Sequence, residues 1–417
     1  MSDFLQADGL AFLIVLFVIA VAGIQTWAEI LNLGALRPEV PASFADVYDA
    51  EAYEKSQRYT RANTRFGWGS RLFDLALLLG FWAMGGFEWL DIWMRSLGIG
   101  PLVTGLFYIG ALSVAVTLLG LPFRWYDTFV LEERFGFNRT DKKTFILDVL
   151  KGSAVDVAFG LPVLAAILFF FGWAGTWGWV YAWAGIAAFS LVASFIYPTW
   201  ILPLFNKFSS LEEGPLRTAI FAYAEKVGFS LENVFVMDGS KRSTRSNAYF
   251  TGFGKNRRIA LFDTLIASHD TDELVGVMAH EVGHYKERHI LKNTLMSIAY
   301  FGGLCYLLSL ALHSEVLFQA FGVTTPSVYV GLVLFGVLFT PVSFVLSVLM
   351  NIVSRRYEFQ ADRYAVKTTG DGESLARALA TLSRTNLSNL TPHALYVWLT
   401  YSHPPVLERI RAIRQHG

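Results

Sequence analysis

His280, Glu281 and His284 stand in the run HEVGH, inside DTDELVGVMAHEVGHYKERH (residues 270–289). On a helix, residues four apart share a face, so the two imidazoles can reach one cation. Glu281 is offset by one position, beside that cation and not aligned with its ligands, where a carboxylate can take a proton from an attacking water. The chemistry this suits is hydrolysis: zinc lowers the pKa of a water to about 7 and polarises a carbonyl, so that an amide becomes attackable at neutral pH. The same three residues also suit the wet face of an ordinary surface helix, and the pattern alone leaves both readings open.

Two histidines and a water leave one coordination position to fill. The stretch NIVSRRYEFQADRYAVKTTG (351–370) offers a candidate. If it is helical, Glu358 and Asp362 share a face. Glu358 then completes a His2Glu set, and Asp362 can accept a hydrogen bond from the second nitrogen of a ligand imidazole. A charged helix emerging from a membrane accounts for Glu358 equally well. His289 competes for the third position, although a continuous helix turns it roughly 140° away from His284.

The elements that must position these groups are unusual for a hydrolase. The chain has 417 residues, 54% hydrophobic, 15% aromatic and only 16% charged, with a positive mean hydropathy. That is too apolar for an ordinary soluble domain. Basic and acidic residues balance at 34 each, which gives nucleic acid nothing to bind. Cys305 is the one cysteine, so no internal disulfide staples the fold. Seven apolar stretches are long enough to cross a bilayer, at about 10–31, 72–94, 101–123, 153–173, 178–200, 294–312 and 328–353. Acidic, not basic, residues precede the first, and no small-residue cleavage site follows it, so it reads as an anchor and not a cleaved signal peptide. Asp74, Glu88 and Asp91 fall in the second and are expected to face a neighbouring helix or a wet cavity.

Seven crossings place residues 32–71, 124–152, 201–293 and 354–417 on one side, with 33 of the 34 Lys and Arg; Arg95 alone lies on the other. The excess marks the first side as cytoplasmic, with the N-terminus outside and the C-terminus inside. HEVGH then lies in a cytoplasmic segment. Its helix has a start signal in Asp270 and Glu273, spaced as a capping box, and a buried stripe in Leu274, Val277 and Met278. The run SNAYFTGFG alternates and leads into RRIALFD, a pattern for a hairpin turning near GFGKN. An exposed edge of such a hairpin can hold an extended peptide.

HEVGHYKERH, SRRYEFQADRYA and YSHPPVLERI, in this order, together with EERFGFNRT, PLFNKF and SNAYFTGFGKNRRIALFDTL, resemble the type I CAAX prenyl protease family of integral-membrane zinc metallopeptidases. The resemblance extends over nearly the whole chain, including five spans ahead of HEVGH. It implies a mostly α, polytopic membrane protein whose helices enclose a chamber, with a small β-hairpin or sheet near one zinc ion. Residues 1–200 would form five spans with their loops, 201–293 a cytoplasmic catalytic region, 294–353 the last two spans, and 354–417 a cytoplasmic region completing the zinc site.

By the same resemblance His280, His284 and Glu358 hold zinc, Glu281 is the general base and Asp362 supports a ligand. His403 and Arg409 lie near the reacting carbonyl, and Asn247 and Ala248 lie on the substrate-binding edge. HPP on its own also reads as the end of one helix and the start of another. The implied partner is a peptide or protein substrate, prenylated or otherwise membrane-associated, within a lipid bilayer. A broad quality-control protease of the HtpX-like kind is the alternative enzyme, and a membrane scaffold or transporter with a structural zinc the alternative class. The compact length, the short loops and an ending RAIRQHG without an endoplasmic-reticulum retrieval signal favour a bacterial inner membrane.

Overall fold

The computed structural model describes residues 2–231, 233–251 and 258–416. Among the described residues, five unbroken helices are long and apolar enough to cross a membrane: Gln6–Gly34, Pro101–Glu132, Lys142–Trp173, Gly175–Phe205 and His289–Leu312. Two bent pairs, Ala50–Ala83 with Gly86–Ser96 (65°) and Val328–Leu338 with Thr340–Thr369 (56°), give the seven expected spans when each pair is counted as one. The first bend falls at Gly85, whose φ of 69° is open to glycine. The second falls at Phe339, just ahead of Pro341, which has no N–H to continue the preceding turn.

Several helices run beyond the apolar stretches that announce them. A helix of 32 residues, such as Pro101–Glu132, spans about 48 Å against a hydrocarbon core of about 30 Å. Polar residues at their ends therefore stand outside the bilayer, where the sequence offers no hydropathy signal. Inside the second span, Glu88 meets the Thr324 N–H at 3.2 Å, and buried Asp91 accepts from Arg95 Nε at 2.8 Å and Tyr329 Oη at 2.6 Å. Asp74 and Asp156, by contrast, are exposed, and their carboxylates make no hydrogen bond with any described residue.

Packing is concentrated at two levels. One core gathers Phe87, Leu90, Tyr108, Phe318, Phe321 and Tyr329, close in sequence to the short links between spans. The other belongs to the polar half and gathers Ile220, Leu261, Leu274, Met278, Val282, Leu375 and Ile410.

The polar half is built on a four-stranded sheet of order β1-β2-β4-β3, with β1 Phe208–Ser210, β2 Val234–Met237, β3 Ala248–Thr251 and β4 Arg258–Phe262. β3 and β4 pair antiparallel, Ala248 opposite Leu261, as the alternation predicts; the expected turn near GFGKN lies outside the described residues. β2 pairs parallel with β4, an arrangement the hairpin pattern does not contain. The segment before β3 is tied to both halves of the molecule. Arg245 bonds Glu132 at 2.9 Å and lies over the Phe137 ring, while the Asn386 amide brackets the Ser246 backbone at 3.0 and 3.1 Å.

Candidate active site

The HEVGH helix, Thr271–Lys286, starts where expected. Asp270 accepts from the Glu273 N–H, and Glu273 reaches back to the Asp270 N–H. Its inward stripe of Leu274, Met278 and Val282 packs into the polar core. Gly283 lies flat against the helix Thr340–Thr369: a Cβ there would stand 3.0 Å from the Ala361 Cα and carbonyl oxygen. That close approach brings the two motifs face to face. Glu358 and Asp362 are one turn apart on the second helix; Glu358 reaches both His280 and His284, and Asp362 reaches His280.

The three expected ligands come together. Ligand atoms of His280, His284 and Glu358 all lie within 4.8 Å of one another. His280 Nε2 and His284 Nε2 are 3.1 Å apart, and the Glu358 oxygens lie 3.4 and 3.3 Å from them. The far side of each imidazole is occupied. His280 Nδ1 is 2.9 Å from Asp362 Oδ1, and a carboxylate can only accept, so His280 carries a proton on Nδ1 and turns Nε2 inward. The Asp362 carboxylate also receives Arg409 Nε at 2.8 Å and Nη2 at 2.7 Å.

This donor set fits a cation. Two ring nitrogens and a carboxylate converge on one point, and the buried Glu358 Oε2 has only the ion pair with Arg409 Nη1, at 3.2 Å, on its far side. Two imidazoles and a carboxylate brought this close call for positive charge among them, which either a proton or a metal ion supplies. His280 reports the same demand: burial and the Arg409 guanidinium oppose a charge on it, yet Asp362 and Glu358 lift its pKa to about 9. Two ring nitrogens and a carboxylate are a donor set that a metal ion can use.

Glu281 is half-buried and accepts no hydrogen bond. Burial, the largest influence, raises its carboxyl above the ordinary range against the opposing histidines. It is a free and comparatively basic carboxylate beside the cluster. His403 lies across from the trio, its Nε2 at 3.3 Å from Glu358 Oε1 and its side chain 65% exposed. HPP also does the ordinary work of linking the helix Ala394–Thr400 to the helix Val406–His416. Arg409, only 8% exposed, lies behind the trio: Nη1 reaches Glu358 Oε2 at 3.2 Å and the rest of its guanidinium is held by Asp362. Asn247 immediately precedes, and Ala248 begins, edge strand β3, which lies against the HEVGH helix. The Asn247 carbonyl accepts from the Phe262 N–H at 3.1 Å, and the Ala248 N–H is met by the Asn247 side-chain oxygen at 2.8 Å.

Two features escape the sequence. The HEVGH helix stops at Lys286, and Arg288 takes a left-handed φ of 57°. His289 therefore does not continue the helical rotation; it folds back, with Nδ1 at 2.9 Å from His284 Nδ1. Arg355 and Asn351 bind carbonyls at the end of the helix Ala394–Thr400. Arg355 Nη1 donates to Val397 at 3.2 Å and to Tyr401, and Asn351 donates to Leu399 at 3.1 Å. They fasten the turn that carries His403.

Comparison with known proteins places this geometry among relatives. Residues 29–207 match the family model described as the CAAX prenyl protease N-terminal, five membrane helices, and residues 210–416 match that of peptidase family M48. A CAAX prenyl protease 1 homolog of Arabidopsis thaliana is 37% identical over 96% of this chain and 96% of its own length. CAAX prenyl protease 1 of Saccharomyces cerevisiae is 34% identical over 90% of this chain and 88% of its own. The crystal structure of S. mikatae Ste24p superposes with a TM-score of 0.92 at 34% identity, covering 97% of this chain and 99% of that one.

Proposed function

The chain belongs to peptidase family M48, with the membrane helices of the CAAX prenyl proteases, and on that premise we propose how its site works and on what. It is a multi-span membrane metalloendopeptidase. The ion is read as a single zinc held by His280, His284 and Glu358. The observation that carries this is the convergence of ligand atoms of His280, His284 and Glu358, all within 4.8 Å of one another.

When bound, zinc supplies Lewis acidity to the scissile carbonyl and to the attacking water. The remaining work falls to side chains. Glu281 takes the proton of the attacking water and delivers it to the departing amine nitrogen. His403, open on the face of the trio opposite its buried supports, donates from Nε2 to the carbonyl oxygen as negative charge grows there. Asp362 and Arg409 keep His280 and Glu358 oriented. An extended peptide adds to the β3 edge by main-chain hydrogen bonds, taking the Ala248 N–H from the Asn247 side chain.

The substrate is read as the C-terminal peptide of a lipidated, in the first instance prenylated, protein. The span windows of the five unbroken helices are only 6–17% buried, and Asp74 and Asp156 stand open and unbonded in or beside spans. A charge open to lipid costs several kcal/mol. Both observations support helices that surround a wet space in preference to a solid bundle, with room for an apolar tail beside a water-dependent site. The basic-residue count supports the N-terminus outside and the site on the cytoplasmic side. The short loops support a bacterial inner membrane.

The test uses detergent-purified protein with one CAAX peptide, prenylated and unprenylated, the products being read by mass, and Glu281→Gln alongside. Loss of the last three residues from the prenylated peptide alone is expected, with Glu281→Gln retaining its metal but losing activity by about 10²–10⁴-fold. Cleavage of both peptides alike would make the enzyme a general membrane endopeptidase. Undiminished hydrolysis by Glu281→Gln would remove the assigned base.

A further inference from the structure

His280 and His284 are supported from behind in different ways. His280 leans on a charged pair, Asp362 and Arg409. Behind His284 there is no carboxylate. Its Nδ1 is 2.9 Å from His289 Nδ1, and His289 Nε2 is 2.8 Å from Gln360 Oε1. His289 is 2% exposed, and its ring stacks on Tyr357 with centroids 4.1 Å apart and planes within 11°. Gln360 lies between Glu358 and Asp362 in sequence, and the left-handed turn at Arg288 is what brings His289 back to meet it.

Resting on the metal site described above, we propose that His289 and Gln360 form a neutral hydrogen-bond relay that holds His284 in the one tautomer able to bind the ion.

The argument is one of donors and acceptors. A ligand Nε2 must offer a lone pair, so His284 must keep its proton on Nδ1. That proton needs an acceptor, and among the described residues the polar atom it meets is His289 Nδ1, which must then be unprotonated. The His289 proton is thereby placed on Nε2, where it needs an acceptor in turn, and Gln360 Oε1 provides it. The chain Gln360 Oε1 ← His289 Nε2–H, His289 Nδ1 ← His284 Nδ1–H is the only ordering that leaves His284 Nε2 free. A donor at position 360 reverses it: His289 Nε2 must then accept, Nδ1 donates to His284, and the proton on His284 moves to the ligand nitrogen. Stacking on Tyr357 keeps the His289 ring in the plane the relay requires. His289 and Gln360 are thus positioning residues, acting through His284 without touching the ion.

The experiment measures zinc affinity of the full-length detergent-solubilised protein by titration against a competing chelator, with zinc content as a check. The variants are Gln360→Glu, Gln360→Lys and His289→Phe, and the melting temperature of each zinc-free protein is recorded. Gln360→Glu, still an acceptor, should bind zinc within about threefold of the original protein. Gln360→Lys, a donor only, and His289→Phe, which keeps the stacked ring and loses both nitrogens, should bind about 10–100-fold more weakly, the usual effect of losing a partner behind a metal ligand. Equal affinities for Gln360→Glu and Gln360→Lys, whether both intact or both lowered, would overturn the relay, because only the relay distinguishes acceptor from donor there. If the unsubstituted protein holds no zinc at all, the metal site itself fails, a different result from this one.

Discussion

Asp362→Asn replaces one oxygen by an NH2 group of nearly the same shape, so its effects can be traced to hydrogen bonding and charge. In the native protein the 2%-exposed carboxylate receives three N–H groups: His280 Nδ1 at 2.9 Å, Arg409 Nε at 2.8 Å and Arg409 Nη2 at 2.7 Å. An amide oxygen can serve only one side of that fork well, and the amide nitrogen must then face either a guanidinium, which is all donors, or His280. Facing His280 it donates to Nδ1 and drives the imidazole proton onto the ligand nitrogen. Two losses follow. Removing one charge of a buried pair leaves Arg409 with Glu358 alone and destabilises the fold by about 3–5 kcal/mol. Losing the acceptor behind His280 weakens the metal about 10–100-fold, or roughly 1.4–2.7 kcal/mol. Melting of the zinc-free protein and a chelator titration read these separately. The double variant Asp362→Leu with Arg409→Met removes both charges, so it should recover most of the stability while still binding metal weakly. A destabilised Asp362→Asn with unaltered metal affinity would refute the reasoning, reducing Asp362 to a strut for Arg409.

Gly283→Ala inserts a methyl 3.0 Å from the Ala361 backbone. It should cost about 1–3 kcal/mol by overpacking and, by separating the two motif helices, lower metal affinity; a chelator titration and a melting curve check both. The zinc-free protein should lose stability as pH rises from about 6.5 to 9. The His280 pKa is raised in the folded state, so the stabilisation is complete below its unfolded value of 6.5 and disappears as pH passes the folded value of about 9, on the order of 3 kcal/mol in all. Zinc-loaded protein should be flatter over that window, because the ion takes the place of the proton; parallel melting series at several pH values would show equal slopes if this linkage is wrong.

What the sequence discloses about this site follows the reach of its local periodicities. His280 and His284 are legible together because one helical turn separates them, and Glu358 with Asp362 for the same reason. The seven apolar runs are legible because a bilayer filters for length and hydropathy alone. Neither regularity extends to the ends of the helices, so the polar overruns and the two bends had no signature beyond Gly85 and Pro341. Strands β1 and β2, three and four residues long, are too short to establish a period, which is why a lone hairpin was all the pattern could offer. The contact between His280 and Asp362, 82 residues apart, was open to inference only because each belongs to a motif whose chemistry needs the other.

His289 marks the limit of that kind of inference. A 100° step per residue carries it away from His284, and the rule is sound wherever the helix continues. Here the helix ends three residues earlier, at Lys286, and Arg288, next to His289, is left-handed, a conformation with no propensity signal in a non-glycine residue. Strain of this kind persists only where the surroundings hold it. What holds it here is the buried ring that follows: His289 is stacked on Tyr357 and bonded at both nitrogens, one of them to a metal-site histidine. The departure from helical regularity is therefore the local consequence of the contact behind His284, and the motif alone, however well matched, could not have disclosed it.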